Sequence, residues 1–150
     1  MNEAVRIFPS PCEFNSMADI SKTNCLAFAF GQTKSSKDRW FSEYILDYQD
    51  PDGWQFRIEK SFENKVSRHF NMKVKEVREL PSEPDGSIYF ILYGWFRYGD
   101  FHVVRVERDG TWVHKPDGEL PACIIEPGSE FFNEYSIEND PCHFFVLVED

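Results

Sequence analysis

The chain has 150 residues, 41% hydrophobic and 17% aromatic with 15 phenylalanines, which excludes a disordered chain and suffices to bury one core without disulfide or metal support. Sixteen Lys and Arg stand against 26 Asp and Glu, a formal net charge of −10 that argues against a nucleic acid or anionic membrane held by non-specific attraction. A basic protein partner or a neutral substrate suits that charge better, and plain solubility accounts for it equally well.

No apolar run approaches the roughly 20 residues that span a bilayer, so no membrane contact is expected. Residues 1–6 lack the basic start and apolar core of a signal peptide. The expectation is a single domain over residues 1–150, kept in a cytoplasm unless a specialised secretion route or lysis releases it. Cys12, Cys25, Cys123 and Cys142 form no C-x-x-C pair, and of Cys123, Cys142, His143 and His114, a set that could in principle hold a tetrahedral metal, only the adjacent Cys142 and His143 are closely spaced. The cysteines therefore read as thiols, with no metal and no other cofactor implied.

In chain order, residues 4–8 read as a strand, and residues 9–20, broken by Pro9 and Pro11, as loop. From Thr23 or Asn24, both good N-cap types, an apolar segment runs to Gly31 and predicts a buried helix of about two turns. A polar loop over 32–38, a helix over 40–48 and a turn at 50–53 follow. Ser61 is a good N-cap, and Phe62, Val66 and either His69 or Phe70 recur at helical spacing to about Asn71. After it the period changes to two over 72–77, and residues 81–86 form a Pro- and Gly-bearing loop. Residues 87–96 are too continuously apolar for a strand with one wet face, so they predict a central strand. A turn at 98–100 leads into a hairpin over 100–116, and residues 142–148 give a last strand. Helices first and an antiparallel meander afterwards make an α+β order.

The hairpin carries His102 on one arm and His114 on the other. A two-residue turn at Asp109 and Gly110 would send the two histidines to opposite sheet faces. A three-residue loop of Arg108, Asp109 and left-handed Gly110 sets Val106 against Trp112 and Val104 against His114, and both histidines then share a face. That register sorts polarity better, with His102, Val104, Val106, Trp112 and His114 on one side and Arg105, Glu107, Thr111 and Lys115 on the other. The histidine face is expected to pack beneath the Cys25 helix, and Lys115 to be solvated.

A thiol at the first turn of a helix has its thiolate favoured by the dipole, and an adjacent imidazole activates it further. A second polar group on the neighbouring strand orients that imidazole. Cys25 is thus the candidate nucleophile, His102 the base and His114 the orienter, with Asp117 or Asp100 as other possible orienters. The Cys25 backbone N–H, helped by Asn24, is the candidate oxyanion donor. Trp112, on the histidine face, is a candidate substrate contact and reads equally as core; His69 and His143 read as structural.

A cysteine opening a short helix, then a strand histidine, then a second histidine twelve positions on resembles the NlpC-type branch of the papain-like cysteine hydrolases. The segments Asn24-Cys25-Leu26-Ala27-Phe28-Ala29, Asp100-Phe101-His102 and Gly110-Thr111-Trp112-Val113-His114-Lys115-Pro116 are similar to uncharacterised bacterial and phage-borne proteins with N-C-x-A-x-A and D-Y-H-x-x-R…G-x-W-x-H-K-P motifs. NlpC-type enzymes usually carry Asp before and Ser after the cysteine, where this chain has Asn24 and Leu26. The resemblance implies a papain-like domain, helices packed on a C-terminal sheet, hydrolysing a peptide, isopeptide or side-chain amide. The alternative is a catalytically inactive domain of the same fold that binds a basic protein as an acidic, immunity-like inhibitor.

Overall fold

A computed structural model describes residues 8–33, 62–64, 66–68, 70–95, 100–116, 120–126 and 142–149, the side chains of 93–95, 100, 101 and 142 excepted. The expected strand residues 4–7, the helix over 40–48, the turns at 50–53 and 98–99, most of the loop over 32–38, Ser61, His69 and Asp117 lie outside the described residues.

The most hydrophobic run of the chain becomes the middle of the sheet. Strand β2 (Tyr89–Trp95) pairs antiparallel with β3 (Asp100–Val106) on one side and with the last strand, β6 (Cys142–Leu147), on the other. Being covered on both faces, it needs apolar residues at successive positions, and Phe90, Ile91 and Leu92 are all buried. Beyond β3 come β4 (Trp112–His114) and β5 (Cys123–Ile124), while β1 (Val74–Val77) pairs antiparallel with β6 at the opposite edge. The order is β1-β6-β2-β3-β4-β5, so the fold is α+β, but the expected meander holds only for β2 to β5. The chain end is inserted between β1 and β2, completing two ladders at once, a long-range pairing that no local pattern carries.

Helix α1 (Pro11–Met17) stands where a loop was expected. Ser10 accepts from the Glu13 N–H and the Glu13 carboxylate accepts from the Ser10 N–H, a capping box with Pro11 at the first helical position. Those signals outweigh the prolines read as helix breakers. Helix α2 (Cys25–Ala29) is the expected apolar helix, capped by Asn24, whose side chain accepts from the Ala27 N–H at 2.8 Å, and followed by left-handed Gly31 at φ 74°. Residues 62–64, 66–68 and 70 are helical, with Phe62, Val66 and Phe70 buried as their spacing predicts, and Asn71 at φ 54° ends that helix.

The sheet separates two apolar layers. One face carries Phe90, Leu92, Val103, Phe145 and Leu147, and against it pack Leu26, Ala29 and Phe30 with Phe62, Val66 and Phe70. Phe14, Phe28, Val113 and Ala122 extend that layer towards β4 and β5. The other face carries Tyr89, Ile91, Val104 and Val106, packed with Ile125, Leu80 and Trp112. Among the described residues no helix is long and apolar enough to cross a membrane.

Candidate functional site

The β3–β4 hairpin has the three-residue loop expected of it. Glu107 N–H donates to the Thr111 carbonyl and Gly110 N–H to that of Glu107, both at 2.8 Å, with Gly110 at φ 92°. Val106 pairs with Trp112 and Arg105 with Val113, so His102 and His114 share a face as that register predicts. They do more than share it: His102 Nε2 and His114 Nδ1 are hydrogen-bonded at 2.8 Å, the rings nearly perpendicular at 84°.

Both imidazoles are buried, at 7% and 6% exposure. Burial pulls His102 down to about 3, reinforced by repulsion from His114, and burial alone pulls His114 down to about 4. Both rings are therefore neutral near neutral pH, and a neutral imidazole has one N–H and one lone pair. If Nε2 of His102 donates in the shared bond, its Nδ1 is a proton acceptor, and His114 carries its own proton on Nε2.

Strand parity corrects a second expectation. The face that carries the two histidines is the Val104 and Val106 face, whereas the apolar side chains of α2 pack on the Val103, Arg105 and Val113 face. The β3–β4 ladder consists of the pairs at Arg105 and Val106, and His102 lies past its end towards the start of β3. Cys25 is buried at 7% exposure as the first residue of α2. With five residues α2 is close to the minimum for a closed turn, so its dipole is smaller than a two-turn helix implies.

Asn24 uses its side-chain oxygen as the cap of α2. An oxyanion needs a donor rather than an acceptor, so the cap and an oxyanion role draw on different atoms of the amide. Trp112 is half-buried against the histidine-face layer, on the same strand face as His114 two residues on. His143 is buried with Nδ1 3.3 Å from Glu76 Oε2, and the Glu76 backbone N–H donates to the Glu63 carboxylate at 3.0 Å.

Three residues carry more than the sequence revealed. Arg105, assigned to a polar face, is fully buried on the α2 side, and Lys115, expected to be solvated, is fully buried as well. All five guanidinium donors of Arg105 are used: Nη1 to the Phe28 and Ala29 carbonyls at 3.0 and 3.4 Å, Nη2 to the Pro9 carbonyl at 2.7 Å, and Nε and Nη2 to the two Glu107 oxygens at 3.1 Å each. Its Cζ lies over the rings of Phe28 and Phe8, 4.6 and 5.1 Å from the centroids. Burial lowers its pKa, and Glu107 opposes that shift. Cys123, on edge strand β5, pairs directly with His114 and so projects from the histidine face. The residue as a whole is exposed, but partial desolvation of its sulfur pushes the thiol pKa up, the reverse of what activates a nucleophile. None of Cys12, Cys25 and Cys123 is in a disulfide. Among the described residues no three His, Cys, Asp or Glu side chains are gathered as a metal ion requires.

Comparison with protein-family models, with curated proteins and with solved structures finds no match to this chain.

Proposed function

We propose that the protein is a thiol hydrolase of papain-like architecture that cleaves a peptide, isopeptide or side-chain amide bond. The observation that carries this reading is the 2.8 Å bond between two buried, neutral imidazoles, one of which is thereby held in a fixed tautomer and orientation. Cys25 Sγ attacks the carbonyl carbon and its proton passes to His102 Nδ1, the nitrogen outside the His102–His114 bond. His102 then returns that proton to the leaving amine, the thioester forms, and water releases the acid by the same route reversed. A base held at about 3 is weak on its own, and the sulfur anion formed beside it is what supports the imidazolium. The imidazoles lie on the strand face away from the apolar side chains of α2, so this chemistry requires Cys25 to reach His102 past the end of the β3–β4 ladder rather than through the sheet.

Alkylation tests this. Burial alone makes Cys25 slower than the exposed Cys12 and Cys123. The hydrolase reading predicts that iodoacetamide labels Cys25 faster than either, and that His102→Ala abolishes the preference. Labelling of Cys25 no faster than Cys12 would sink it.

The face assignment favours a second reading, in which the histidine pair is a neutral core device and the domain binds a basic partner through its net charge of −10. Salt-sensitive capture of a basic protein by both wild type and Cys25→Ser, with no preferential labelling, is the outcome that supports it.

A further inference from the structure

A five-residue helix closes little more than one turn and is unstable by its own hydrogen bonds, so α2 keeps its shape through tertiary contacts. At its start Asn24 supplies a cap; at its end the Phe28 carbonyl accepts from the Gly31 N–H at 3.0 Å, and it and the Ala29 carbonyl each take a further, side-chain donor. Arg105 reaches both from β3 while a second arm holds the Pro9 carbonyl, and Glu107, two residues along the same strand, locks the fork from behind. A cation at the C-terminal end of a helix also satisfies the negative end of its dipole. Burying a guanidinium is costly unless every donor is matched, and here every one is, which is the signature of a fixed rather than an adaptable contact.

The same strand carries His102 three residues earlier. The guanidinium thus ties the helix that begins with Cys25 to the strand that bears the base. We propose that Arg105 is the positioning residue of the thiol site: by clamping the last carbonyls of α2 onto β3 it sets where Cys25 stands relative to His102. It rests on the thiol-hydrolase reading and adds to it a residue outside the reacting atoms.

The test uses the full-length chain with Arg105→Lys, which keeps the charge but has three donors in place of a planar fork of five. Iodoacetamide rates at Cys25 are followed against pH, with Cys12 as the internal ruler and a cooperative thermal transition confirming the fold. The expected result is a fall of about ten-fold in the preference for Cys25 and a rise of its pH midpoint towards the ordinary thiol value of about 8.5, with Cys12 unchanged. A folded Arg105→Lys protein with the wild-type preference and midpoint would overturn the proposal while leaving the hydrolase reading intact. A wild type without preference for Cys25 overturns both. If Arg105→Lys does not fold, Glu107→Gln loosens two of the five bonds, and a several-fold loss of preference supports the clamp whereas wild-type behaviour refutes it.

Discussion

At the scale of single residues, the histidine pair makes a definite statement about acid. Both imidazoles sit below their ordinary value of 6.5, at about 3 and about 4. As pH falls below about 6.5 the unfolded chain therefore takes up protons that the folded chain refuses, and stability drains away until the folded values are reached near 4 and 3. Each histidine contributes a slope of at most about 1.4 kcal/mol per pH unit in that window. The double variant His102→Gln, His114→Gln should lose less stability between pH 6.5 and 4.5 than wild type in urea denaturation; parallel curves would show that the buried pair is not neutral. The pair was legible in the sequence because hairpin loop length fixes which side chains share a face. Arg105 was not, since period-two patterning assigns a guanidinium to the wet side. What buries it are carbonyls of Pro9, Phe28 and Ala29, far away in the chain.

At the scale of elements, structure is legible where a local signal has one structural meaning. Asn24 before an apolar run, and Gly31 after it, bracket α2. The run around Phe90 marks the central strand. Helix α1 is less legible although Ser10, Pro11 and Glu13 spell out its start, because two prolines in three residues carry opposite meanings, one a loop proline and one a first-turn proline. Strand β5 is two residues long, too short for any periodicity to show. The hairpin loop gives a sharp prediction. Gly110 has φ 92°, and a Cβ there would lie 2.7 Å from Pro84 Cγ. Gly110→Ala should therefore destabilise the fold by about 1–3 kcal/mol, read from the shift in urea midpoint, with the loss concentrated in the hairpin that aligns His102 with His114. An unchanged midpoint would contradict the three-residue loop.

At the scale of the whole molecule, one sheet with two covered faces divides the candidate site. The α+β class and the strand that organises the sheet follow from composition and pattern, but which face α2 occupies does not. The order β1-β6-β2-β3-β4-β5 is settled by the return of the chain end to pair with β2 and β1. The sheet thus puts His102 and His114 on one face, the apolar side of α2 on the other, and Arg105 as the tie between strand and helix. The hydrolase account requires that Cys25 and His102 meet past the end of the β3–β4 ladder and act together. The most direct measurement is pre-steady-state turnover of a simple activated ester, p-nitrophenyl acetate, with the acylated residue mapped by mass spectrometry. The account predicts a burst of nitrophenol approaching one equivalent per chain, with acetyl on Cys25, lost in both Cys25→Ser and His102→Ala. A burst no larger than that of Cys25→Ser, or acetyl found on Cys12 or Cys123 instead, would contradict it.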